Sequence, residues 1–248
     1  MSGHSKWSQI KRSKGSLDAK RGQLFTKLGR EIAVAAREGA DPSANSRLRL
    51  AIQRARDANM PADTIDRAVK RAAGEADAAN FQEVSYEGYG PHGVAILVEA
   101  LTDNRNRAAA EIRSAFTRAG GTLGETGSVR WIFDDKGIIS LDVNGGDPDE
   151  IALVAIDAGA DDVQVDDTNL EVYTDPARLE EVRSALEGSG IPVASSEVTM
   201  IPKMSVNLDE NAALQTMRLI ERLEDLEDVQ AVHSNSEFSD EVAASLAG

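Results

Sequence analysis

The chain of 248 residues contains no cysteine and few aromatic residues. Without cysteine there is no disulfide, no thiolate nucleophile and no zinc–thiolate site. Aromatic residues make up 4% of the chain, so a long row of rings that stacks on single-stranded bases is not expected. The histidines His4, His92 and His233 lie far apart, and none has the spacing of a metal-binding pair. We therefore expect no metal, no cofactor and no enzymatic activity.

Long apolar segments are also missing. The longest apolar run, Val94–Val98, is far shorter than the roughly 20 residues that a membrane-spanning helix needs. The first residues are polar and lack the apolar core of a secretory signal. We expect a cytoplasmic protein without a membrane partner. Carboxylates are abundant, but no pair stands out as acid and base, so no small-molecule substrate is evident.

The charge is divided unequally along the chain. The net charge is -15, yet residues 1–74 contain 16 Lys and Arg against 7 Asp and Glu, which gives that part a net charge of +9. Residues 75–248 carry a net charge of -24. A basic region joined to an acidic body indicates a polyanion bound at one end and repelled by the rest. Nucleic acid is the commonest polyanion of this kind.

The basic region has the periodicity of helices. Residues 1–16 are polar and basic, and we interpret them as a mobile arm that a partner orders. Apolar residues then recur every three or four positions, which predicts helices over residues 18–39, 43–58 and 62–73. Pro61 suits the first turn of the third helix. Three short amphipathic helices with short connections predict a small bundle.

The acidic body alternates strands and helices. We predict a buried strand at 93–101, a helix at 107–119 and a strand at 128–133. Residues 137–200 then follow the order β-α-β-β-α-β of a ferredoxin-like unit. The first group and a last β-α-β at 204–234 each lack a second half, so we expect them to form one domain around the insertion.

The predicted fold class is α+β, with an N-terminal three-helix bundle followed by two ferredoxin-like α/β domains, one inserted in the other. The expected domains are a basic helical domain at 1–76, a split α/β domain at 80–134 plus 202–248, and an inserted ferredoxin-like domain at 135–201.

The candidate nucleic-acid contacts are the cations of the arm and first helix, one tryptophan, and two arginines before a later helix. They are Lys6, Trp7, Lys11, Arg12, Lys14, Lys20, Arg21, Lys27, Arg30, Arg105 and Arg107. Such a cluster neutralises phosphates and releases counterions, although a charge run is often only a solvated face. Trp7 either stacks on a base, a contact worth about 1–3 kcal/mol, or pins the arm onto the bundle. Arg105 and Arg107 lie where the helix dipole disfavours cations; they either contact phosphate or pair with acidic neighbours.

Two glycine-rich segments have simpler explanations than nucleotide binding. Residues 88–93 match G-x-G-x-x-G, but they precede a strand instead of opening a helix, so we predict a turn with a close backbone approach. Residues 120–128 carry no Lys before the serine, so they are not a P-loop, and we interpret them as a flexible connection.

Several segments together resemble the YebC family, and the resemblance covers nearly the whole chain. They are GHSKW at 3–7, DAKRG at 18–22, FTKL at 25–28, ANMP at 58–61, YEGYGP at 86–91 and LTDNRNR at 101–107. The family includes bacterial proteins classed as probable transcriptional regulators and a mitochondrial translational activator. The resemblance implies a helical N-terminal domain, two α/β domains with one inserted in the other, and a non-enzymatic regulator of gene expression.

Three functions remain open at this point. A DNA-binding transcriptional regulator would use a recognition helix with Asn, Gln or Arg aimed at base edges, whereas the predicted third helix is short and rich in alanine. A ribosome-associated translation factor would bind ribosomal RNA and relieve stalling at proline runs, with the acidic domains meeting basic ribosomal proteins. A protein-interaction adaptor would use its sheets, and the basic region would be incidental.

Overall fold

The N-terminal part of the chain is a bundle of three helices. The structure, a computed structural model, describes residues 17–74, 81–142, 146–166 and 169–247. The helices are α1 (Leu17–Ala35), α2 (Ser46–Asp57) and α3 (Ala62–Gly74). All three were predicted from the sequence. A short 3-10 turn (Ala36–Glu38) follows α1, and its C-cap is Gly39, the residue predicted to end this helix.

Asn45 determines where α2 begins, three residues later than predicted. Its Oδ1 accepts a hydrogen bond from the Leu48 amide at 3.0 Å, the usual arrangement of an N-cap. Its Nδ2 donates to the carbonyls of Ala35 and Gly39, both at 2.8 Å. One buried side chain therefore joins the end of α1 to the start of α2. Ile32 and Leu48 are fully buried in the bundle core beside it.

The remaining described residues form ten strands and five helices, with short 3-10 turns between some of them. In chain order they are β1 (Gln82–Tyr89), β2 (Ala95–Thr102), α4 (Arg105–Arg118), β3 (Thr122–Leu123), β4 (Phe133–Asp142), α5 (Pro148–Asp157), β5 (Asp162–Asp166), β6 (Asn169–Thr174), α6 (Leu179–Gly188), β7 (Val193–Pro202), β8 (Val206–Asn207), α7 (Glu210–Glu224), β9 (Val229–Ser234), β10 (Ser236–Glu237) and α8 (Asp240–Ala247).

The first four-stranded sheet has the order β3-β1-β2-β9, and its strand pairs are all antiparallel. Strand β9, far along the chain, pairs directly with β2, so that Leu97 faces His233. Helices α4 and α7 cover one side of β2, where Ile96 and Phe116 are fully buried. The opposite side of β2 packs against Phe133 at the start of the second sheet.

The second four-stranded sheet has the order β5-β6-β4-β7 and is also antiparallel throughout. Its core lies between the sheet and helices α5 and α6, and includes Ile139, Val172 and Leu186. Leu50 of α2 packs against this core as well, so the bundle contacts the second sheet directly. The described chain is thus α+β: three helices, followed by two four-stranded antiparallel sheets with their helices.

One strand prediction was wrong, and one strand was missed. The segment 128–133 is a turn and a 3-10 helix (Arg130–Ile132), and the strand begins only at Phe133. The buried carboxylate of Glu87 accepts the amides of Gly127, Val129 and Arg130 at 2.7–2.8 Å, so these groups cannot join a ladder. Strand β1 was not predicted, because it combines charged residues and glycine with a weak alternation.

The G-x-G-x-x-G match is a strand end and turn, as predicted. A Cβ atom on Gly88 would lie 2.7 Å from the Thr122 carbonyl oxygen and 2.8 Å from Phe116. Strands β1 and β3 could not approach so closely with a larger residue there. Gly93 has φ +76, a conformation that glycine adopts without strain.

Candidate nucleic-acid interface

Two of the candidate cations on α1 point into the acidic body. The Lys27 ammonium donates to the Glu224 carbonyl at 2.5 Å, at the end of α7. The Arg30 guanidinium donates to the Glu227 carbonyl at 3.0 Å and also pairs with the Glu227 carboxylate. Arg30 lies 3.6 Å from an Asp228 carboxylate oxygen and stacks over the Phe81 ring. Its side chain is only 18% exposed, so α1 is anchored to the body here.

Asp228 is the centre of this contact. Its side chain is 4% exposed, and its Oδ2 accepts from the Thr102 hydroxyl at 2.9 Å and from Arg107 at 2.8 Å. Its carbonyl accepts from the Leu101 amide at 2.8 Å. A buried carboxylate needs charged partners and hydrogen bonds of this kind, because burial without them is costly.

Arg107 therefore pairs with acidic neighbours, which was one of the two interpretations of this residue. It also contacts Asp103 at 2.8 Å, one helical turn away. The hydrogen bond to Asp228 is the main reason that the pKa of Arg107 is raised above its usual value. Arg105 differs: it is exposed, and its side chain makes no hydrogen bond or ion pair within the described residues.

Further arginines of the bundle are also used internally. Arg54 donates to Glu31 at 2.9 Å and lies 3.5 Å from Glu197 on β7. Burial is the largest effect on its pKa and acts to lower it, but the nearby carboxylates together raise the pKa above its usual value. Arg47 pairs with Glu38 and with Glu83 of β1. The inner side of the basic bundle is thus neutralised by carboxylates of the same chain.

The outer cations of the bundle remain available. Arg21, Arg56 and Lys70 are exposed, and none forms an ion pair with another described residue. The Arg21 guanidinium lies 5.4 Å from the centroid of the Phe25 ring, which orients it by a cation–π contact. We call Arg21, Arg56 and Lys70 the outer cations.

The other candidate contacts lie at or beyond the edge of the described structure. Lys20 belongs to α1, but its side chain is outside the described residues. The arm residues are outside them entirely: Lys6, Trp7, Lys11, Arg12 and Lys14.

The acidic residues that contact Lys27, Arg30 and Arg107 were not predicted from the sequence. Glu224, Glu227 and Asp228 lie in the run Glu-Asp-Leu-Glu-Asp at 224–228, which reads as an ordinary solvated turn. The one available signal was the pair of arginines at the start of α4. The helix dipole disfavours cations there, so their presence predicts carboxylates nearby.

The described residues contain no group of three or more His, Asp and Glu side chains arranged to hold a metal ion. Within the same residues no helix combines the length and apolar character needed to cross a bilayer.

Comparisons with known proteins cover almost the entire chain. Residues 5–75 match the family model described as the TACO1/YebC protein N-terminal domain, and residues 81–236 match the TACO1/YebC second and third domain. A probable transcriptional regulatory protein of Roseiflexus castenholzii is 56% identical over 98% of both chains. One of Herpetosiphon aurantiacus is 54% identical, over 100% of this chain and 99% of that protein.

The fold is similar to that of a solved structure. The crystal structure of a conserved hypothetical protein, Aq1575, from Aquifex aeolicus matches with a TM-score of 0.81 and 45% identity, over 90% of this chain and 92% of that one. The chain therefore belongs to the TACO1/YebC family, a family of probable transcriptional regulators and not of enzymes.

Proposed function

We propose that this protein regulates gene expression by binding nucleic acid, with DNA as the target, through phosphate contacts of its N-terminal arm and bundle. The names of the relatives support regulation of transcription. The observation that carries the proposal is the division of the bundle's cations. The inner ones neutralise carboxylates of the body and of the bundle itself, whereas the outer cations Arg21, Arg56 and Lys70 have no such partner among the described residues.

This division favours binding at the outer side of the bundle. A guanidinium that already pairs with a carboxylate contributes little net free energy to phosphate binding, because the existing ion pair must first be broken. An exposed, unpaired cation can neutralise a phosphate and release a counterion at once. The arm adds Lys6, Lys11, Arg12 and Lys14 on the chain that leads into α1, and Trp7 supplies a ring for stacking. The acidic body, in the cytoplasm, repels nucleic acid from the other sides.

A ribosome-associated translation factor that binds ribosomal RNA at proline-run stalls is the second candidate. One observation favours it: α3 has no Asn or Gln, and its Arg67 donates to the Asp63 carbonyl and the Thr64 hydroxyl of its own helix. This helix therefore lacks the Asn or Gln that would read adenine, and the positions of its exposed cations suit phosphate contacts. Binding that depends only on phosphates suits either target.

We also propose three domains: the bundle at 1–76, a split domain at 80–134 plus 202–248, and an inserted domain at 135–201. The pairing of β9 with β2 supports the split domain, since it joins the two separated parts in one sheet. The strand order β5-β6-β4-β7, with helices after its first and third strands in the chain, supports a ferredoxin-like insertion.

The test compares two triple variants of the full chain. The first, R21Q/R56Q/K70Q, neutralises the outer cations. The matched control, R113Q/R118Q/R218Q, removes the same charge from exposed, unpaired arginines of the acidic body. Binding to a labelled DNA duplex and to an RNA hairpin is measured by fluorescence anisotropy at several salt concentrations.

We expect the first variant to bind more weakly and to lower the slope of log K against log salt by up to about 2.7, since each lost contact with B-DNA lowers it by about 0.9. The control should retain the wild-type slope. Equal losses in both variants, or unchanged binding in the first, would contradict the proposed surface, whereas a wild type that binds neither the duplex nor the hairpin would favour the adaptor. Crosslinking in cells, with sequencing of attached DNA and RNA, then separates the two targets: promoter peaks support transcription, and ribosomal RNA supports translation.

A further inference from the structure

Helix α5 exposes two large aliphatic side chains. Leu153 is 66% exposed and Ile156 is 47% exposed, whereas Ala155 between them is fully buried against the second sheet. Residues three apart lie on the same side of a helix, so the two form a short apolar row facing away from the core. Val165 on the neighbouring edge strand β5 is 50% exposed as well. Single exposed aliphatic side chains are common, whereas neighbouring ones on one surface are candidates for an interaction site.

The core of the second sheet does not need these residues. Ile139, Leu141, Val172 and Leu186 fill it with exposures of 0–1%, and the inner side of α5 completes it. The exposed row is therefore available for another molecule. We call Leu153 and Ile156, with the acidic residues described next, the α5 face.

Three carboxylates surround the apolar row. Asp149, Glu150 and Asp157 all lie three or four positions from Leu153, which places each of them within one turn of it. All three are exposed, and within the described residues none forms an ion pair. Helix α5 contains no Lys or Arg. Elsewhere in the same domain the pattern differs: Arg183 of α6 pairs with both Glu180 and Glu187.

We propose that the α5 face docks a protein segment that is both basic and apolar, such as a helix with Lys or Arg on either side of a row of aliphatic residues. Unpaired carboxylates around an apolar row complement that chemistry in both charge and shape. They repel phosphate groups, so nucleic acid and anionic lipid do not fit this face. The site is separate from the phosphate-binding surface proposed above and does not depend on it.

A second copy of the chain fits less well than a different protein. The cationic part of the sequence is residues 1–74, and Leu28, Ile32, Leu48 and Ile52 of the described bundle are buried in its own core. It therefore offers charge with little apolar surface.

The experiment uses a fluorescein-labelled peptide of leucine and lysine that forms an amphipathic helix, with a scrambled peptide of the same composition as its control. The full chain is titrated into each peptide at about 0.15 M salt, and anisotropy is measured. Three variants are compared with the wild type. L153S/I156S removes the apolar row, D149N/E150Q/D157N removes its carboxylates, and E111Q/E125Q/E241Q removes three exposed, unpaired carboxylates elsewhere on the body.

We expect L153S/I156S and D149N/E150Q/D157N each to weaken binding of the amphipathic peptide by about tenfold or more, and E111Q/E125Q/E241Q to change it less than about twofold. The scrambled peptide should bind weakly to all four proteins. Equal losses with the two triple variants would overturn the proposal, because they would show general attraction to an acidic body. No loss with L153S/I156S would also overturn it. If the wild type self-associates and L153S/I156S does not, the occupant is a second copy, and the proposal is wrong.

Discussion

The carboxylate of Glu87 provides the sharpest test of how the body is held together. Glu87 is 4% exposed, and it accepts the Gly127 amide on Oε1 and the Val129 and Arg130 amides on Oε2. Each hydrogen bond to a charged acceptor contributes about 1.5–3 kcal/mol, and a buried amide left without a partner costs about 1–3 kcal/mol. The segment 127–130 connects the two sheets, so its position depends on this one side chain.

Two substitutions at this position have different expected costs. Glu87→Ala removes both acceptor oxygens and with them all three hydrogen bonds; because contributions of neighbouring bonds are not additive, we expect the free energy of unfolding to fall by about 3–5 kcal/mol. Glu87→Gln retains one oxygen and places an N–H₂ group against a backbone N–H, so we expect a loss of about 1–3 kcal/mol. Urea unfolding, followed by circular dichroism and tryptophan fluorescence, measures both losses of stability. The comparison requires that the slope of the unfolding free energy against urea concentration is the same in each protein. The exposed Glu111→Gln is the control, with an expected change below about 0.5 kcal/mol.

The pH dependence follows from the same contacts. Burial acts to raise the pKa of Glu87, but the three backbone N–H groups and nearby Arg130 outweigh it, so the pKa is lowered. A lowered pKa in the folded state stabilises the fold above the unfolded pKa of about 4.3, and this contribution is lost as the pH falls through the folded pKa. The difference between wild type and Glu87→Gln should therefore be largest at neutral pH and shrink in acid. A difference below about 0.5 kcal/mol at neutral pH, or one that does not change with pH, would refute the reasoning.

Three further changes test the bundle, the junction and the first sheet. Asp228→Asn should lower the urea midpoint and speed amide exchange in α1, because Arg30 and Arg107 lose a shared carboxylate; the exposed Asp225→Asn should do neither. Asn45→Ala should lower the free energy of unfolding by about 1–2 kcal/mol. An unchanged midpoint temperature in thermal unfolding would contradict the capping role of Asn45. Gly121→Ala should lower the free energy of unfolding by about 1–3 kcal/mol, because the added Cβ would lie 2.6 Å from a carbonyl oxygen of β1. Gly22→Ala places a methyl group in open space on α1 and should instead stabilise the protein.

The division of cations gives the protein two uses for one basic region. Lys27 and Arg30 face the run at 224–228 and hold α1 to the body, whereas Arg21 and Lys70 face solvent. A neutralising variant chosen from the sequence alone would mix the two groups, and lost binding could then come from lost structure. Variants confined to the outer cations avoid this problem. The exposed Arg105 beside the paired Arg107 shows the same division within a single helical turn.

The periodicity of the sequence determined most of the elements, since an amphipathic pattern follows from burying one side of a helix or strand. The helices α1, α2 and α3 and the order of strands from β4 to β7 were predicted in this way. The structure of segment 128–133 was not predicted correctly. Its apolar residues are buried in a turn whose amides bind Glu87, a residue about 40 positions earlier. No local pattern contains such a contact.

The sequence by itself determined the charge division and the family, because counts of Lys, Arg, Asp and Glu and the order of motifs need no coordinates. The tertiary structure alone decided which cations are available. Lys27 and Arg21 are equally basic in the sequence, but only the packing of α1 against the end of α7 gives Lys27 a carbonyl at 2.5 Å and leaves Arg21 in solvent. The same holds for α5, where the sheet buries Ala155 and leaves Leu153 exposed. Pairing and burial depend on contacts between segments that lie far apart in the sequence, and only the tertiary structure brings such segments together.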